Sequence, residues 1–233
     1  MPKTDILFHT GHRERLKEKL LDGQLADYEK LELLLTYAIP RRDVRPLARQ
    51  LIQKFGSIYL VLRTPIEELM TVPGIGRNTA ILIKLFYELD LVSYKNRACS
   101  GTYLSDEKFM HEYCRNILAG KMVEELHVLY LGNDRRLLLD ETHTRGTINQ
   151  TAAYPREIAR KSIQLNAISV ILAHNHPVSD NKFSYDDVEL TTMIQSALQP
   201  TGVVLVDHLL VTSTGIVHSF MSSPWINRSL INH

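Results

Sequence analysis

Two histidines two positions apart, His174 and His176, and an aspartate eleven positions further on, Asp187, are the residues whose types and spacing fit chemistry most directly. The run before them, residues 168–173, reads as a strand buried on both faces. Strand side chains repeat every two residues, so a strand that continues past Ala173 points His174 and His176 to the same side. Two imidazoles on one side of a strand end can reach a single metal ion. Pro177 has no N–H to give to a ladder and ends the strand. After the polar loop 178–183, Ser184 opens a helix with Asp187 in its first turn. A loop of that length can return Asp187 to the histidines. Two neutral imidazoles and one carboxylate are a ligand set for a catalytic zinc, with water in the fourth position. The metal would lower the pKa of that water to near ~7. A structural reading also fits: Ser184 caps the helix while Asp187 reaches back in a variant capping box. Asp186 and Asp187 also complement the positive end of the helix dipole. A cap explains these residues, but not two histidines at i, i+2 on an apolar strand.

The chain that must position them has 233 residues, 44% apolar and 23% charged. This is the composition of a soluble globular protein of roughly one to two domains, not of a disordered chain. No apolar run approaches the ~18 residues of a membrane helix. The opening MPKTDILFHTGHRERLKEKL lacks a signal-peptide core, so a cytoplasmic location is expected. Two cysteines, Cys99 and Cys114, exclude a disulfide scaffold or a Cys-rich zinc finger and read as plain thiols. The overall charge of +1 conceals +4 over residues 1–97 and −3 over residues 98–233.

The pattern changes at the same place. Residues 31–37, 44–55, 58–62, 66–72 and 79–91 read as helical, and residues 91–105 as a linker. Beyond it, helices are expected at 106–118 (N-capped by Ser105), 155–165 and 186–198. Strands are expected at 125–131, 136–141, 167–173, 203–206, 209–212 and 216–219. The expectation is an α/β or α+β sheet domain flanked by helices at 102–224, preceded by a small all-α domain at 1–97.

His174-Asn175-His176-Pro177, with Ser184 and Asp187, resembles the JAMM (MPN+) metallopeptidase signature: H-x-H, ten residues, then Asp. The form AHNHP, with Tyr154-Pro155-Arg156-Glu157 upstream and Leu205-Val206-Asp207-His208 downstream, resembles the RadC (UPF0758) branch. The likeness extends to Gly146-Thr147 and Ser219-Phe220 and covers about residues 28–222. It implies an MPN/JAMM-like sheet domain, Zn2+ held by His174, His176 and Asp187, and hydrolysis of an amide or isopeptide bond. Val178 and Ser179 stand where the family usually has Ser and Gly, and residues 181–183 where a proline-containing stretch is common. Every position matching a zinc ligand is kept.

The resemblance also implies a glutamate base just before an apolar strand. Glu124 and Glu125 precede residues 126–131; aligning strand ends favours Glu124, and a one-residue slip selects Glu125. Only one can face the site. Glu157, at a helix start that stabilises an acid anyway, is a third candidate. Ser184 is implied to stabilise the developing oxyanion, a role that competes with capping. His208 reads either as a core histidine or as a group orienting a ligand. His127 and His143 receive no role, and Arg156 reads as a surface helix residue. Cys114 with His111 supplies too few ligands for a metal.

Val72-Pro73-Gly74-Ile75-Gly76 resembles a helix-hairpin-helix turn and matches the N-terminal region of RadC chains. Backbone N–H groups of Gly74 and Gly76, with Arg77 and Lys84, would give non-specific, salt-sensitive DNA contact. Gly-x-Gly turns also join helices that never meet nucleic acid, and Arg41, Arg42, Arg45 and Arg49 also read as a solvated face. Two other functions stand beside the zinc hydrolase. One is a DNA-associated repair or recombination factor with a structural zinc. The other is a metal-dependent nuclease or phosphoesterase. The sequence has no second carboxylate cluster, which is closer to single-zinc amide chemistry.

Overall fold

A computed structural model describes residues 4–100, 104, 106–145, 154–178 and 182–223, with backbone alone for 4–10, 144, 145 and 154. The chain separates into two compact units, Met1–Asp90 and Leu91–His233. Among the described residues no helix is long and apolar enough to cross a membrane.

The first unit is helical: α1 (Thr4–Leu21), α2 (Asp27–Ala38), α3 (Arg45–Phe55), α4 (Ile58–Arg63), α5 (Ile66–Leu69) and the first part of α6 (Arg77–Ser100). Leu31 and Leu35 on α2 lie one turn apart, as do Leu47 and Leu51 on α3. They meet Val61, Leu69, Ala80 and Ile83 in one buried core. Each fully buried leucine contributes about 1.5–3 kcal/mol, which such short helices could not supply alone. Between α5 and α6 the Ile75 N–H donates to the Val72 carbonyl at 3.0 Å. Gly74 there has φ of 98°, which a residue with a Cβ adopts only under strain. Lys84 Nζ donates to the Arg63 carbonyl at 3.3 Å and lies over the Tyr87 ring.

Residues 91–100 are not a linker but the continuation of α6. The sequence has no Gly or Pro there, and Leu91, Tyr94 and Ala98 share the less exposed face. The Tyr94 ring stacks on Phe109 at 5.9 Å, so tertiary packing completes what weak periodicity left undecided.

The second unit continues with α7 (Glu107–Leu118), β1 (Glu125–Leu131), β2 (Leu137–Arg145), α8 (Tyr154–Gln164), β3 (Ser169–His176), α9 (Tyr185–Leu198), β4 (Val204–Thr212) and β5 (Val217–Ser219). Ser105, the expected cap of α7, lies outside the described residues; the Asp106 side chain accepts from the Lys108 N–H at 2.9 Å. The sheet order is β2-β1-β3-β4-β5. Only β3 and β4 are parallel, joined by the crossover through α9. Leu126, Val128 and Tyr130 of β1 and Val170 and Leu172 of β3 share a core with Ile158 of α8 and Leu190, Ile194 and Leu198 of α9. On the other face α7 packs against β3, β4 and β5.

The two short strands expected at 203–206 and 209–212 are one strand. Asp207 and His208 look like an interruption, but both are buried and bonded. Asp207 accepts from Ser219 Oγ at 2.6 Å and from the Met221 N–H at 3.0 Å. A helical first part followed by a mixed α+β sheet unit is the architecture expected from the sequence.

Candidate metal centre

β3 runs on through His176, so the period-2 argument holds and both imidazoles face α9. His174 is completely buried, and His176 sits at the rim. Ser184 is the N-cap of α9. Its Oγ accepts from the Asp187 N–H at 3.1 Å, and its N–H and Oγ–H both donate to Asp187 Oδ2 at 2.7 Å. The capping reading is borne out, and the same carboxylate also faces the two imidazoles. Oδ2 serves the cap, and Oδ1 lies 3.2 Å from His174 Nε2. His176 Nε2 is 3.1 Å from His174 Nε2 and 3.6 Å from Asp187 Oδ2. Three corners of a zinc tetrahedron with bonds of ~2.0–2.1 Å stand roughly 3.3–3.4 Å apart, so the donor set fits such an ion. Burial pushes the Asp187 carboxyl up, but the two imidazoles and Ser184 outweigh it and hold it far below the usual carboxylate range.

Glu124 is the fourth member. Ligand-capable atoms of Glu124, His174, His176 and Asp187 all lie within 4.8 Å of one another. The antiparallel register sets Leu126 opposite His174, so Glu124, two residues earlier, falls on the same face beside His176. Partial burial raises the Glu124 pKa, opposed by the imidazoles. Glu125 points the other way. Its carboxylate bonds to Lys121 and lies 3.3 Å from His127 Nε2, and Lys121 above all lowers its pKa against the cost of burial. Glu157 is exposed and paired with Arg160, away from the cluster. His127 is held by Asp140 at 2.7 Å and His143 by Glu141 at 3.2 Å.

Asn175, between His174 and His176, has no role among the sequence expectations. It points to the opposite face and is buried. Its Oδ1 accepts the Glu125 N–H at 2.9 Å, and its Nδ2 donates to the Val123 carbonyl at 3.2 Å and the Lys121 carbonyl at 3.5 Å. Asn175 thus ties the segment carrying Glu124 to the strand carrying His174 and His176. A buried amide in an apolar strand was the signal, since such a group needs partners. His208 is also buried, with Nε2 2.8 Å from His174 Nδ1. Burial first, then His174, keep its pKa well below that of a free imidazole.

Residues 104–225 match the family described as RadC-like JAB domain. The chain is 37% identical over 212 residues to a UPF0758 protein of Fusobacterium nucleatum, covering 87% of this chain and 91% of that one. The chain belongs to the RadC family. A second RadC-family relative, the UPF0758 protein of Ruegeria pomeroyi, is 37% identical over 203 residues, 86% of this chain and 91% of its own. The sheet unit is accordingly a JAB/MPN-like domain following N-terminal helices. In this RadC-family chain the β3 end, the α9 start and the residue before β1 converge on one cluster.

Proposed function

We propose that this protein is a zinc-dependent hydrolase of amide or isopeptide bonds. The observation that supports it is the convergence of Glu124, His174, His176 and Asp187, whose ligand-capable atoms lie within 4.8 Å of one another. His174, His176 and Asp187 would hold the zinc. A bound zinc supplies Lewis acidity, polarising a carbonyl and bringing the pKa of water to near ~7. Glu124 takes the proton from the attacking water and delivers it to the leaving nitrogen, a transfer that contributes about 10²–10⁴ in rate. Its raised pKa matches it to both halves of that task. Ser184 gives its hydroxyl proton to Asp187 Oδ2 in the resting arrangement. Turned toward the substrate oxygen, that O–H stabilises the growing charge while the Ser184 N–H keeps hold of Asp187. Among the described residues this is the one such cluster, which favours single-metal amide chemistry over a two-metal phosphoester site.

The test combines metal analysis with cleavage. Purified protein should carry one zinc, lost in H176A and D187A. Incubation with a proteome-derived peptide and ubiquitin-like conjugate mixture, read by mass spectrometry for new amine termini, should give products with wild type and none with E124Q. Zinc retained in H176A and D187A, or equal cleavage by E124Q, would sink this assignment.

A further inference from the structure

We propose that His208 is a positioning residue that decides which nitrogen of His174 is offered to the metal. The inference rests on the reading of His174 as a ligand and goes beyond it. The hydrogen bonds behind His174 have a direction that can be read from one end. The Asp187 carbonyl can only accept, and Thr191 Oγ lies 2.5 Å from it, so the hydroxyl gives its single proton there. Thr191 Oγ can then only accept from His208 Nδ1, 2.6 Å away, which puts the His208 proton on Nδ1. His208 is wholly buried, and as a neutral ring it has a lone pair on Nε2. That lone pair faces His174 Nδ1 at 2.8 Å and requires a proton on it. In the neutral ring His174 Nε2 is then left bare for a metal, and it is the atom 3.1 Å from His176 Nε2 and 3.2 Å from Asp187 Oδ1.

The surroundings fit this assignment. Phe183 stands edge-on to His174 at 5.8 Å and to His208 at 5.4 Å, and Phe220 meets Phe183 at 5.2 Å. The Phe220 N–H donates to the His208 carbonyl at 2.9 Å. These rings keep water from the His174–His208 bond. Metal-binding histidines usually lean on a carboxylate, a backbone carbonyl or water. A neutral imidazole in that place orients the ring without adding charge. Asp187 enters twice, by its side chain at the ligand cluster and by its carbonyl at the far end of the relay.

Two variants of the whole chain separate positioning from packing. In H208Q the amide oxygen can take the place of Nε2 and accept from His174, whereas H208L fills the space with no acceptor. Zinc affinity by competition with a chromophoric chelator should fall about 10–100-fold in H208L, and H208Q should recover most of the loss. Long-range ¹⁵N–¹H spectra of metal-free wild type at alkaline pH should put the proton on Nδ1 of both His174 and His208. This last measurement needs no variant to fold. A proton on His174 Nε2, wild-type zinc affinity in H208L, or H208Q as impaired as H208L would each overturn the proposal. Unchanged zinc binding in H174A would instead overturn the ligand reading beneath it.

Discussion

Asp187 Oδ2 takes both protons that Ser184 offers, from the backbone N–H and from Oγ, each at 2.7 Å. Oδ1 of the same carboxylate is left facing His174. One side chain therefore closes the first turn of a helix and completes a cluster that could hold a metal ion. Cap and ligand place different demands on it: the cap needs an acceptor, the metal needs a charge.

Asparagine tells the two apart. D187N keeps an acceptor for Ser184, so the capping box of the metal-free protein should survive, while the stability tied to the ionised carboxylate and most of the zinc affinity should be lost. D187A loses both, and urea titration of the metal-free form should show a further loss of about 1 kcal/mol from the broken capping box. Chelator competition and denaturation on the same preparations give the two readings.

Acid should expose Asp187 in the metal-free protein. Its folded pKa lies far below the ordinary 3.8. As pH falls through about 4, the unfolded chain takes up a proton that the folded chain refuses, and stability drops. The contribution is complete above that pH and lost below it, by up to about 1.4 kcal/mol per pH unit. Wild type should lose stability relative to D187N in this window in urea midpoints, and the two curves should run parallel above about pH 5.

Neighbouring glutamates should behave oppositely. E124Q should cost about 10²–10⁴ in hydrolysis with zinc content unchanged. E125Q should leave turnover near wild type but lower stability by about 1–2 kcal/mol, because Lys121 and His127 then face an uncharged amide in a largely buried network. Rates and melting curves of both variants decide it.

Asn175 joins the strand of His174 and His176 to the segment of Glu124. N175A leaves the Glu125 N–H without its acceptor and two carbonyls without a donor, at a cost of about 1–3 kcal/mol. Zinc affinity should be kept, because His174 and His176 point to the other face, while the catalytic rate falls as Glu124 loses its anchor. Zinc lost in proportion to rate would argue against this division of labour.

The convergence of His174, His176 and Asp187, and the cap formed by Ser184, were legible in the sequence because each depended on a local rule: period 2 for the histidines, the first helical turn for Ser184 and Asp187. Glu124 and Glu125 were not separable, since the choice depends on the β1–β3 register, which no local pattern encodes. His208 could be suspected, but Thr191 and the direction of the relay come only from α9 lying against β4. The polar pair Asp207 and His208 hid a continuous strand, because burial with full hydrogen bonding is a tertiary property. The missed half of α6 has the same origin in the Tyr94–Phe109 contact.

His174, His176 and Asp187 come from one short stretch of chain, whereas the hydrogen bond that anchors the Glu124 segment, between Glu125 and Asn175, spans 50 positions. Closing a short loop is fast; pairing distant strands is slower. Glu124 is therefore expected to join the cluster after Asp187. The four-residue cluster is complete only once β1 has paired with β3, so its assembly is tied to the longest-range step in closing this sheet.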